Sequence, residues 1–139
     1  MRIVLDTGVI IAFVAGEKDK SIDSIEKILD MAKSKKIDTV ISSVTVSEIY
    51  AYFCRKKDPR KAVEVCAMLE EIGTQVASME KEIAKNSGFL KSKYPISFAD
   101  AIILATCISI GGCLITYDPE FLSVKEVQIL KPEEFIKIL

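Results

Sequence analysis

Four carboxylates stand where the pattern of the chain can gather them: Asp6 after the run R-I-V-L, Glu48 in T-V-S-E, Asp100 in S-F-A-D and Asp118 in T-Y-D-P. The chain has no histidine, which removes serine triads, histidine acid–base pairs and histidine-ligated metals together. Cys54, Cys66, Cys107 and Cys113 lack C-x-x-C spacing and read as small buried apolar side chains in a reducing compartment, not as a zinc site. Carboxylate chemistry remains. Bringing several carboxylates within about 4 Å costs roughly 1 kcal/mol per pair in a water-like dielectric, and several times that in a cleft. Such a cluster either takes up protons or binds a cation. Ligands that are all oxygen favour Mg2+ or Mn2+ over zinc. The chemistry that follows is activation of a water and neutralisation of charge on a phosphodiester oxygen, with one ion or with two about 3.5–4 Å apart.

For these acids to meet, the elements that carry them must share an edge. Residues 2–5 predict a buried first strand feeding a helix over 9–15, the opening half of a βαβ unit. Helical spacing of Ile22, Ile25, Ile28, Leu29 and Ala32 predicts an amphipathic helix over 19–36. A second strand is expected at 39–42, then helices at 44–57 and 59–72 joined at Asp58-Pro59. A weak third strand at 75–78 precedes an amphipathic helix at 80–93 that must end before Tyr94-Pro95. An almost wholly apolar, hence buried, helix at 97–110 stops at Gly111-Gly112, and strands at 113–116 and 127–130 and a helix at 132–139 complete the chain. This alternation predicts an α/β, Rossmann-like fold with a mostly parallel sheet of four to five strands flanked by helices. In such a sheet the strand C-termini and helix N-termini share one edge, where ligands bind. Asp6 and Asp118 follow strands, while Glu48 and Asp100 are expected in the first turns of helices entering from that side.

Taken singly, the motifs have a plainer reading: S/T-x-x-D/E is a capping box and Asp-Pro a common turn opener. Asp6 is harder to dismiss in this way, since any small polar residue at the strand end could cap the next helix. Asp100 is also the only charge between Ser97 and Tyr117, and burying an ionised carboxylate without a partner is costly.

The 139 residues, 50% of them apolar, predict one domain over 1–139. The 19 basic and 20 acidic residues nearly cancel, so a nucleic-acid partner must be held locally and not by overall charge. No signal peptide is expected, since Asp6 interrupts the first apolar stretch. No membrane span is expected either, since Gly111 and Gly112 break the long uncharged run. A cytoplasmic location follows as an expectation.

The stretches L-D-T-G-V-I-I, S-E-I-Y, F-A-D-A-I-I-L-A and L-I-T-Y-D-P-E-F, in this order over almost the whole chain, resemble the four signature stretches of PIN-domain nucleases. Within that family the chain is most similar to the VapC toxins of toxin–antitoxin pairs. The resemblance implies a Mg2+- or Mn2+-dependent endoribonuclease, a homodimer, and a cognate antitoxin that blocks the site. It implies that Asp6, Glu48, Asp100 and Asp118 are the catalytic, metal-holding quartet, with Thr7 and Thr116 at the hydroxyl positions that orient ligands or water. Tyr117 and Gly8 depart from the family pattern, which bears on substrate fit and removes no ligand.

Lys91 and Lys93 precede the helix carrying Asp100 and could touch phosphates at the rim, although lysines ending a helix are ordinarily solvated. The run Arg55-Lys56-Lys57 with Arg60 and Lys61 is placed outside the site. Tyr50, Tyr52 and Phe53 could stack bases, with core packing or a dimer surface the simpler reading. Three alternatives stay open: an RNA-processing PIN nuclease, a PIN module that only binds RNA or protein, and an aspartyl phosphatase. The last lacks its second acid, because that position is Gly8.

Overall fold

A computed structural model describes residues 1–139. The short β-branched and apolar runs form β1 (Arg2–Leu5), β2 (Asp38–Ser42), β3 (Gln75–Ala77), β4 (Cys113–Ile115) and β5 (Ile129–Leu130). They make one sheet in the order β3-β2-β1-β4-β5, with every neighbouring pair parallel. The helices are α1 (Thr7–Ala15), α2 (Ile22–Lys33), α3 (Ser43–Arg55), α4 (Pro59–Glu71), α5 (Lys81–Lys93), α6 (Phe98–Ile110) and α7 (Pro132–Lys137), with a 3-10 helix at Pro119–Ser123. The expected α/β architecture is therefore present.

Both faces of the sheet are covered, which is why its strands read as continuous apolar runs. Along β1, Ile3 and Leu5 join a core formed with α1, α2, α3, α4 and α7, while Val4 joins a second core formed with α5 and α6. Helix α6 is apolar nearly all round because it lies within that second core, where Ala101, Ile103, Leu104, Ala105 and Cys107 are buried. Gly111, in the left-handed region at φ 66°, closes it. No single helix is long and apolar enough to cross a membrane, and α5 and α6 are bent by 120° from each other.

From β1 the chain first builds one side of the sheet through β2 and β3, and then returns to add β4 on the other side of β1. The strand order thus reverses between β1 and β4, and a crevice opens beyond the C-terminal ends of these two strands. Asp6 and Asp118 follow the two strands that flank it.

Several boundaries differ from the sequence expectation. Helix α2 spans Ile22–Lys33, shorter than 19–36, because Lys35 turns left-handed at φ 62° and ends the run. Helix α3 starts immediately after β2, with Ser42 Oγ accepting from the Val44 N–H at 3.1 Å. Glu48 therefore lies in the second turn of α3, not the first, and does not act in a capping box. After Asp118 the chain forms a 3-10 helix where Asp-Pro predicts only a turn.

Candidate active site

Asp6 is held on three sides. Its backbone N–H donates to Ile115 O at 3.0 Å, continuing the β1–β4 ladder by one bond. Oδ1 caps α1 by accepting from the Thr7 N–H at 2.9 Å, and Oδ2 accepts from Thr116 Oγ1 at 2.7 Å. Thr116 Oγ1 in turn accepts from the Asp118 N–H at 2.9 Å, so one hydroxyl sets the carboxylate of one acid and the backbone of another. Thr7 performs the matching task for Glu48, donating from Oγ1 to Oε1 at 2.7 Å. The same Thr7 hydroxyl lies 3.0 Å from Thr45 Oγ1 on α3. Both threonines singled out in the sequence therefore touch acids of the quartet.

Asp100 stands in the first turn of α6, where Ser97 Oγ accepts from its backbone N–H at 3.1 Å. This is one half of the capping box, and the Asp100 carboxylate does not complete the other half. Asp118 caps the 3-10 helix, Oδ1 accepting from the Glu120 N–H at 2.9 Å. The turn brings up an acid that sequence reasoning misses. Asp100, Asp118 and Glu120 each offer a carboxylate oxygen within 4.8 Å of the other two. The signal available for Glu120 is its spacing of two residues from Asp118 in D-P-E.

Asp6, Glu48, Asp100 and Asp118 all line one open cleft of about 470 Å³. Burial pushes the Asp6 carboxyl up to about 6, with the hydrogen bonds from Thr116 and Thr7 opposing and the charges of Glu48 and Asp118 adding. Burial likewise pushes Asp100 up to about 7, assisted by repulsion from Asp6, Asp118 and Glu48. No lysine or arginine forms an ion pair with any of the four. Clustered, partly desolvated and unpaired oxygens of this kind suit a hard divalent cation, which would replace the protons that the cluster otherwise retains.

Other sequence candidates are sorted by the same geometry. Lys91 lies 5.7 Å from the Phe98 ring centroid, and Lys93 pairs with Glu126 at 3.0 Å, so neither lines the cleft. Arg55, placed outside the site from sequence, does line it. It follows Glu48 by seven residues, two helical turns along the same face of α3. Tyr52, between them, lines the cleft as well, whereas Phe53 is buried in the core. Tyr117, Lys20 and a further acid, Glu17, line the cleft as well.

The family model for the PIN domain matches residues 3–127. No curated protein sequence matches the chain. Among solved structures, VapBC2 from Rickettsia felis, bound to a DNA fragment from its promoter, is 17% identical with a TM-score of 0.76, covering 94% of this chain and 98% of that one. VapBC-1 from nontypeable Haemophilus influenzae is 20% identical with a TM-score of 0.71, covering 96% and 99%. The sarcin-ricin-loop-cleaving toxin VapC20 of Mycobacterium tuberculosis is 19% identical with a TM-score of 0.69, covering 91% and 98%.

Proposed function

The chain belongs to the PIN domain family, and from that premise we propose that it is a Mg2+- or Mn2+-dependent endoribonuclease, the VapC-like toxin of a toxin–antitoxin pair. The observation that carries the reading is the sharing of one cleft by Asp6, Glu48, Asp100 and Asp118 with no protein cation paired to them. In this reading Asp6, Glu48, Asp100 and Asp118 hold the divalent ion, and Glu120 lies close enough to Asp118 to assist. The bound ion supplies the positive charge that acidifies a water and offsets charge building on the phosphate oxygens. Thr116 and Thr7 fix the rotamers of Asp6 and Glu48, so the oxygens need not reorganise when the substrate arrives. A homodimer and a cognate antitoxin belong to the same proposal; the antitoxin is supported by a structural neighbour solved as a toxin–antitoxin complex from Klebsiella pneumoniae.

The test is direct. Purified protein should cut single-stranded RNA with Mg2+ or Mn2+ and stop when chelator is added. Asp6→Asn and Asp100→Asn should each lower the rate by at least about 100-fold, as expected for loss of a group that stabilises charge in the transition state. Full activity in both variants, or in chelator, would refute the proposal.

A further inference from the structure

An acidic cleft repels the polyanion that it is meant to cut, and the overall charge of −1 does nothing to offset this. The cleft nevertheless contains two cations, Lys20 and Arg55, contributed by different elements. Neither is used to neutralise the acids. Lys20 pairs only with Asp19 at 3.4 Å, a carboxylate that is 77% exposed, and Arg55 has no ion-pair partner. Because Asp19 stands open to solvent the pair contributes little, and Lys20 can exchange that carboxylate for another anion.

Lys20 is also held in place. Its ammonium lies 4.9 Å from the centroid of the Tyr117 ring, and the Tyr117 hydroxyl accepts from the Ser21 N–H at 3.1 Å. One side chain at the end of β4 therefore fixes both the head of Lys20 and the backbone beside it. Arg55 is set by α3 itself, about 10 Å along the helix axis from Glu48, with Tyr52 between them.

We propose that Lys20 and Arg55 form a phosphate clamp, binding phosphates of the strand that neighbour the one presented to the acids, and that Tyr117 is the positioning residue for Lys20. This deepens the ribonuclease reading and rests on it. The clamp explains how a nearly neutral chain holds RNA, and it gives the contacts of Tyr117 with Lys20 and Ser21 a role.

The test is the salt dependence of binding, measured by fluorescence anisotropy with a labelled RNA of mixed sequence at fixed Mg2+, every protein carrying Asp100→Asn so that the probe is not cut during the measurement. Removing one cation from a phosphate of a single strand makes the slope of log K against log salt shallower by about 0.7. Lys20→Met and Arg55→Met should each flatten it by that amount and raise KM for RNA with kcat little changed, while Lys20→Arg should keep the wild-type slope. Tyr117→Leu should weaken binding in the wild-type background and not in the Lys20→Met background. Melting curves of each variant check that the fold is retained, above all for Lys20→Met, since Arg55 is exposed whereas the Lys20 side chain is only 28% exposed. Wild-type slopes in Lys20→Met and Arg55→Met, with RNA still bound and cut, would overturn the clamp alone. Wild-type protein that neither binds the probe nor cuts RNA would remove the ribonuclease reading and the clamp with it.

Discussion

Thr116 Oγ1 donates a 2.7 Å hydrogen bond to Asp6 Oδ2, and the two residues stand just beyond the Leu5–Ile115 pair where β1 and β4 end together. The same oxygen accepts from the Asp118 N–H. Removing it leaves a buried carboxylate oxygen and a backbone donor without their partner. Thr116→Val should therefore destabilise the protein by about 1–3 kcal/mol and weaken Mn2+ binding by about 10- to 100-fold. Thr116→Ser should restore most of both. Urea unfolding and metal titration measure the two effects. A Val variant equal to wild type in each would show that the hydroxyl does not orient the acid.

The cation-free protein should lose stability as pH rises. Asp6 and Asp100 titrate near 6 and 7 in the folded chain, against 3.8 ordinarily. Between those values the native state holds protons that the unfolded chain has released, so their contribution is fully present below about pH 4 and is lost on the way to pH 7. For Asp6 the loss is on the order of 3 kcal/mol, while the more exposed Asp100 adds less. Denaturant midpoints in chelator should fall over this window, Asp6→Asn should flatten the fall, and saturating Mn2+ should reverse it. A cation-free stability that rises from pH 5 to 7.5 would contradict the arrangement.

Gly8 occupies the first turn of α1 in the cleft wall, and an added Cβ there would meet nothing within 4 Å. The backbone has no need of glycine at this position, so Gly8→Ala should stabilise by about 0.4–1 kcal/mol through the unfolded chain, with RNA cleavage retained. Thermal melting checks the first and a cleavage assay the second. A lower melting temperature would mean that the helix start is not as described.

What is legible in the sequence is local and periodic. The run before Asp6 declares β1, the helical spacing around Ile28 declares α2, and Gly111 declares the end of α6. The acids are traceable because strand ends and helix starts share an edge in a parallel sheet, a rule of topology that needs no coordinates. What escapes depends on side chains meeting across elements. Arg55 looks remote from Glu48 in sequence, yet two turns of α3 bring it to the same face. Glu120 is hidden because the 3-10 helix after Asp118 has no periodicity of its own, and five residues are too few to show any. Lys93 looks available to the cleft, but Glu126, 33 residues away, takes it instead.

Whether the acids of the cleft hold a divalent cation is read by isothermal calorimetry with Mn2+, run at pH 6 and pH 8 in buffers of different ionisation enthalpy on the wild type and Asp100→Asn. The wild type should bind with release of between about one and two protons per ion at pH 6 and almost none at pH 8, because Asp6 and Asp100 give up their protons to the metal. Asp100→Asn should bind more than about tenfold more weakly. No measurable binding by the wild type, or equal binding by the variant, would contradict it.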